Sequence, residues 1–436
     1  MQHSDFHKIL SGDTSFELSY GDYFKYVGES DARLSGKPLP TLFQPMVLTR
    51  DTFSGLREDA EQMSSILSKV SDLYVNYEEV RQFFNFPEIL QQWIEIDPGY
   101  DMAIPISRYD AFQTGTKLRF CEFNTDGTSG MTEIYTLDNA FLQTQSGKNL
   151  AKKCCLEGLD LIGPLLDTIL TNYKSFGGKG IPNVAIMDFS ESATMTEFEI
   201  LKNEFFARKV PADICDPREL RFSGGRLWHN NFKIDVIYRR AVTDEMFTQR
   251  DKIGDLLQAY KEGAVCMVGP LRSQIAHSKL IFPFLCADFS ERYFSDQEKQ
   301  YVRSHIPWTS RLTDDIAGTI IGDQDKYYLK PHDSYGSKGV YFGEDYSSDE
   351  WEKIVRKIIE SNDNYLVQES ISIPQGEFLI DAEGGTNTFN IQLSPFVFNG
   401  RLSGFYTRIS DINIITTNKG ARLLPLFCCG KELELR

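Results

Sequence analysis

Apolar side chains at Phe53, Leu56, Ala60, Met63, Leu67 and Val70 recur close to the ~3.6-residue period of an amphipathic helix, which predicts a helix over residues 51–75. Asp51, just ahead of the stripe, is the expected cap. Residues 104–124 change to short apolar runs around a polar break, the pattern of two strands and a turn. Residues 148–174 return to helical spacing. Val184-Ala185-Ile186-Met187 then reads as a buried strand. Thr194 and Glu197 follow at capping-box spacing before the stripe Phe198, Leu201, Phe205, and Ala212–Cys215 is the next strand. Strand, helix, strand in that order predicts a parallel α/β layer.

Gly224-Gly225 turns a hairpin toward the apolar run Ile234–Arg240. Beyond residue 265 a helical stretch covers Ser278–Cys286, and Tyr327-Tyr328-Leu329-Lys330 is a strand. The polar glycine loop from Asp333 to Gly339 leads into Val340-Tyr341-Phe342. Ser347 and Glu350 form a second capping box, ahead of a helix with Trp351, Ile354, Val355, Ile358 and Ile359 on one face. From Tyr365 to Leu424 strands dominate, so the last third reads as a mainly antiparallel sheet with one or two packed helices. The fold class is mixed α/β (α+β), in about three pieces by length.

The 436 residues are 41% hydrophobic and 25% charged, which is globular rather than disordered composition. The net charge of −16 and the lack of a basic run argue against nucleic acid and anionic membranes as partners. No apolar stretch reaches the ~18 residues of a membrane span, and the start MQHSDFHKIL lacks a secretory pattern. Eight cysteines without a C-x-x-C pair, and six scattered histidines, suit neither a zinc site nor a disulfide framework. These features together predict a cytoplasmic enzyme.

Two groups of residues carry candidate chemistry. If 104–124 is an antiparallel hairpin, paired residues share a constant index sum, so Asp110 faces Glu122 and Arg108 faces Asn124. All four then project from one face. Opposed carboxylates need a positive charge between them; a hard divalent cation held by Asp110, Glu122 and Asn124 would supply it, with Arg108 suited to a phosphate or oxyanion. The plain alternative is a solvated face with an Arg–carboxylate pair. The second group begins at Lys330, a strand lysine that needs an anion. Ser334, Gly336, Lys338 and Gly339 follow it in a loop able to present N–H groups and a cation to phosphates. The loop is neither G-x-x-x-x-G-K-[ST] nor G-x-G-x-x-G, and an ordinary hairpin turn would look the same. Gln368 and Glu369 end a strand where backbone groups could read an adenine edge, or where a strand simply stops. Lys279, within an apolar run, reads by default as a snorkelling surface lysine.

The order of these pieces resembles the ATP-grasp ligases, specifically the circularly permuted type represented by glutathionylspermidine synthase and its relatives. The pattern R-x-D, eleven residues, E-x-N falls on Arg108, Asp110, Glu122 and Asn124, some two hundred residues ahead of the lysine–loop–hinge set. Lys279, Lys330-Pro331 and Arg408 are similar to later family positions, while Ser-Tyr-Gly-Ser-Lys-Gly departs from the family's usual loop. The resemblance implies a permuted ATP-grasp fold with a Rossmann-like layer ahead of the nucleotide-binding portion. Its pieces would be 1–175 (N-terminal helices and metal-site hairpin), 176–262 (Rossmann-like) and 263–436 (nucleotide-binding).

It further implies ATP and Mg²⁺ as cofactors, with Asp110, Glu122 and Asn124 on the metal. Lys279, Lys330, Ser334, Gly336, Lys338, Gly339, Gln368 and Glu369 would hold the nucleotide, and Arg108 and Arg408 would be catalytic. The implied reaction joins a small carboxylate to an amine through an acyl phosphate. Arg239, Arg240 and Asp188 read as structural more than as a substrate pocket. The alternatives are an ATP-dependent phosphotransferase using the same site, or a non-catalytic nucleotide-binding scaffold.

Overall fold

The predicted stripe on residues 51–75 folds as the helix Arg50–Asn76, with Leu56, Ala60, Met63, Leu67 and Val70 buried along it. Its cap is Thr49 rather than Asp51: the Thr49 hydroxyl accepts from the Thr52 N–H, and Asp51 already lies in the first turn. The computed structural model describes residues 4–34, 36–332, 339–361 and 363–430. Among these, no helix is long and apolar enough to cross a membrane.

Four other local expectations change. Residues 148–174 form two helices, Gln145–Cys154 and Ile162–Ser175, separated by the strand Leu156–Gly158. Cys155 turns left-handed to end the first, and the Asp160 carboxylate accepts from the N–H groups of Ile162 and Gly163 to start the second. Thr194 makes no side-chain cap on Met195–Ala207, and Glu197, instead of completing a capping box, turns inward to the buried Arg240. The run Ser278–Cys286 is helical only from Ile281, since Pro283 has no N–H to offer the Lys279 carbonyl. Lys279 is thereby left in the break after the short helix Gln274–His277. The Gly224-Gly225 hairpin leads into Phe232–Ile234 of a three-stranded meander, and Val236–Arg239 is a separate strand.

The α/β layer is as predicted. Val184–Met187 lies between Ala212–Cys215 and Val236–Arg239, with Cys266–Val268 beyond, all parallel. Arg239 is enclosed there, paired with Asp126 from the loop that follows the hairpin. Asp126 also accepts from the Thr243 N–H and hydroxyl, so one carboxylate ties the hairpin's exit to this layer.

Two antiparallel sheets follow. The large one runs Arg422–Leu423, Arg401–Ser410, Thr386–Phe398, Ile106–Thr114, Lys117–Asn124, with Gln375–Leu379 also on Thr386–Phe398. One of its faces, through Tyr109, Phe123, Leu393 and Phe405, shares a core with the long helix. The small sheet runs Thr309–Arg311, Tyr365–Glu369, Tyr327–Pro331, Tyr341–Phe342. It has its own core of Leu329, Val367, Ile320, Trp351 and Val355 beneath the helices Asp314–Gly322 and Ser348–Glu360. The Ser347–Glu350 capping box is present as predicted. A third, mixed sheet places Leu426–Cys429 between Met46–Thr49 and Leu156–Gly158.

Because the small lobe's core is separate, it should loosen alone. Trp351 is fully enclosed and donates to the Ile320 carbonyl. Trp351→Ala should cost about 3–5 kcal/mol locally. Hydrogen exchange is expected to accelerate across 309–369 and to stay unchanged in Arg50–Asn76.

Candidate functional site

Alternation along Ile106–Thr114 puts Arg108 and Asp110 on the face of the large sheet away from the long helix. Across the hairpin Asp110 pairs with Glu122 and Arg108 with Asn124, the expected register. The constant index sum stops there. Ala111 pairs with Phe120, so Cys121 is an extra residue and forms a bulge. The bulge turns Leu118 and Phe120 into the core while Glu122 and Asn124 remain on the polar face. On the same face Gln392 stands opposite Arg408.

Asp110 is 6% exposed and doubly held. Its Oδ1 accepts from Arg108 Nε at 3.2 Å and its Oδ2 from Arg408 at 2.6 Å. Burial alone would raise its carboxyl, but Arg408 and then Arg108 outweigh it and hold the group below the usual carboxylate range. Glu122 receives Lys279 Nζ at 3.3 Å. Each of the opposed carboxylates thus has protein cations beside it, Arg108 and Arg408 at Asp110 and Lys279 at Glu122.

The small sheet faces this surface with its own polar side. Leu329 and Val367 point into the lobe core, which turns Tyr328, Lys330 and Gln368 outward. Lys330 Nζ donates to Gln368 Oε1 at 2.7 Å and lies 5.8 Å from the Tyr328 ring centre. Gln368 in turn donates to Thr309. Glu369 accepts from the Trp308 N–H.

Between the two faces is a cavity of about 320 Å³, a volume that accommodates a small ligand. Arg108, Asp110, Glu122, Asn124, Lys279, Lys330, Gln368, Glu369 and Arg408 all line it. Gly339 is close by but not on its wall. It takes φ +70°, and a Cβ there would meet the Tyr365 hydroxyl at 2.9 Å. Ser334, Gly336 and Lys338 lie outside the described residues. Arg239, Arg240 and Asp188 are not on the cavity wall. Arg239 and Arg240 are enclosed by Asp126 and Glu197 respectively, and burial pushes the Asp188 carboxyl up to about 6.

Sequence reasoning missed much of the wall. Phe112, Ile371, Ile373 and Ile415 form an apolar side, and Gln392, Asn413 and Thr416 add polar groups. Only tertiary pairing brings them in; Gln392 alone had a signal, as a polar residue within an apolar strand. Cys121 also faces the cavity, but burial pushes its thiol up to about 12, which makes it a poor nucleophile.

The oxygen-rich set Asp110, Glu122, Asn124 has the chemistry of a hard-cation site. Asn124 lines the cavity beside the two carboxylates, and its amide nitrogen is buried without a hydrogen-bond partner. Among the described residues no group of three His, Cys, Asp or Glu side chains is placed to hold a metal. Two carboxylates and an amide therefore leave the remaining ligands to phosphate or water, which is how Mg²⁺ is commonly held.

A carboxylate hairpin on one sheet, Lys330 on another and Lys279 from the helix break between them meet at a shared cavity, a two-sheet grasp. Residues 45–410 match the model of the family "Circularly permuted ATP-grasp type 2", and the chain belongs to that family. Over 257 residues it is 21% identical to a putative glutamate–cysteine ligase 2-2 of Frankia casuarinae, a match covering 56% of this chain and 28% of that protein. The chain thus spans little more than a quarter of that relative's length. In three dimensions it is similar to a glutathione synthetase-like effector, GSS30, of Globodera pallida, solved in its apo form. That likeness has a TM-score of 0.59 at 12% identity and covers 94% of this chain and 96% of that one. It shows the fold.

The arginine clasp has a defined pH response. Since the Asp110 carboxyl is lowered in the folded protein, its stabilisation is complete above the ordinary value of ~3.9 and is lost as pH falls through the lowered one. Asp110→Asn should cost about 3–5 kcal/mol at pH 7 by stranding buried cations. In denaturant titrations the gap to wild type is expected to narrow steadily below pH ~4.

Proposed function

We propose that the protein is an ATP- and Mg²⁺-dependent ligase that joins a small-molecule carboxylate to an amine through an acyl phosphate. The observation that carries this reading is the convergence of Asp110, Glu122 and Asn124 with Lys279, Lys330, Arg108 and Arg408 on one cavity. Membership of the family supports ATP as the ligand, and the names of both relatives support ligation.

Phosphoryl transfer is mostly positioning and charge neutralisation. Lys330 from the small sheet and Lys279 from the helix break both line the cavity and would grip the phosphate chain. The apolar side at Phe112, Ile371, Ile373 and Ile415 suits an adenine ring, with Gln368 and Glu369 at its edge. Arg108 and Arg408 would neutralise the substrate carboxylate and the phosphoryl group moving onto it. Magnesium, held by Asp110, Glu122 and Asn124, would supply further neutralisation of phosphate charge. Attack of the amine on the acyl phosphate expels inorganic phosphate and leaves the amide; enclosure between the sheets limits competing hydrolysis. The net charge of −16 favours the approach of a cationic amine.

One observation favours a second reading, a nucleotide-binding scaffold without catalysis: both oxygens of Asp110 are already occupied by arginines. Thermal melting with ATP or a non-hydrolysable analogue, with and without Mg²⁺, separates the two. The ligase reading expects Mg²⁺-dependent stabilisation that falls away in Glu122→Ala. Lys330→Ala should weaken nucleotide binding by roughly 10- to 100-fold, the worth of a charged hydrogen bond. ADP release on adding carboxylate and amine pairs would complete the case. Stabilisation indifferent to Mg²⁺ and to Glu122→Ala supports the scaffold; no response to nucleotide rejects both.

A further inference from the structure

Both arginines of the clasp lie against the same ring. Arg108 Cζ is 4.8 Å and Arg408 Cζ 5.4 Å from the centre of Tyr406. Each guanidinium makes a single hydrogen bond to Asp110 rather than a two-point fork, and Arg408 Nε is buried without a partner. For Arg408 that one-point bond leaves the guanidinium plane free to pivot, whereas an aromatic face fixes it; Arg108 has a second anchor in the Ser129 carbonyl.

Tyr406 is itself held. Its hydroxyl donates to Glu133 in the first turn of the helix Met131–Gln143. Gly130, one residue before that helix, takes φ +102°, and a Cβ there would meet the Tyr406 ring at 2.7 Å. The neighbouring Ser129 carbonyl accepts from Arg108 at 2.9 Å. The short segment Ser129–Glu133 thus wraps the ring with a carbonyl that holds Arg108, a missing side chain and a carboxylate.

We propose that Tyr406, tethered by Glu133, is a positioning residue that sets the angle at which Arg108 and Arg408 enter the cavity. Its consequence for catalysis rests on the cavity being the phosphoryl-transfer site; its hold on the two arginines does not. The tyrosine touches no reacting atom and acts through the guanidinium groups.

The test reads the arginines directly. In full-length protein carrying ¹⁵N only in arginine, the Nε–H signals of Arg108 and Arg408 are assigned by their loss in Arg108→Lys and Arg408→Lys. Tyr406→Leu removes the ring, and solvent exchange at both signals should quicken about tenfold, the scale of one cation–π contact. Tyr406→Phe keeps the ring but unties it and should give a smaller change. Glu133→Gln still accepts the hydroxyl and should leave both signals as in the wild type.

Gly130→Ala displaces the ring without altering either arginine and should disturb the same two signals; it also serves if Tyr406→Leu does not fold. Arg239, enclosed elsewhere by Asp126, is the control. Unchanged Arg108 and Arg408 signals in Tyr406→Leu and Gly130→Ala would overturn the proposal. So would equal acceleration at Arg239, which would mean general loosening. The readout needs no nucleotide, so a wild type that does not bind Mg·ATP would sink the ligase reading and leave this result standing.

Discussion

Asp110 is the residue on which the cavity's geometry depends. It sits on the hairpin strand Ile106–Thr114 and accepts from Arg108 on its own strand and from Arg408, far along the chain. A buried carboxylate is tolerable only with such partners, and buried guanidinium groups only with such a carboxylate. Removing any one strands the others. The clasp therefore pins the order of the large sheet, in which Thr386–Phe398 lies between the two contributing strands. With those strands fixed, Glu122, Asn124 and Gln392 have no choice of face.

Two antiparallel sheets with separate cores present their polar sides to each other across the cavity, and that division has a physical use. Each sheet buries one face in its own lobe, against the long helix or against Trp351 and its neighbours. The facing sides are then free to carry charge. Lys279 comes from a third direction, in a helix break made by Pro283, and its ammonium closes the charge balance at Glu122. Charges on opposite lobes would feel any relative movement of the lobes at once, because Lys330 and Gln368 belong to one and Asp110 and Arg408 to the other.

How far the sequence reveals this depends on the range of the interaction. The hairpin register could be read from Arg108, Asp110, Glu122 and Asn124 because strand pairing across a short turn is local arithmetic. The Cys121 bulge could not, since it reflects the competing demand that Leu118 and Phe120 reach the core. Asp51 looked like a cap because Thr49 lies two residues further out, and only the observed hydrogen bond decides between them. Glu197 stood at capping-box spacing but answers instead to Arg240, a counter-charge more than forty residues away. Tyr406 had no signal at all. An aromatic in an apolar strand is ordinary, and its importance arises from Arg408 on its own strand together with an arginine and a glycine that two other segments bring to it.

The mixed sheet and the clasp share a feature that matters before the protein is ever complete. Leu426–Cys429 is the central strand between Met46–Thr49 and Leu156–Gly158, and Asp110 waits for an arginine 298 positions downstream. At ~5–20 residues per second, a ribosome would deliver that arginine roughly 15–60 s after the aspartate. Throughout that interval Asp110 lacks its Arg408 partner, and Met46–Thr49 and Leu156–Gly158 have no strand between them. The amino-terminal half of this chain emerges as an unfinished object, and its exposed strand edges are what a nascent-chain chaperone would meet.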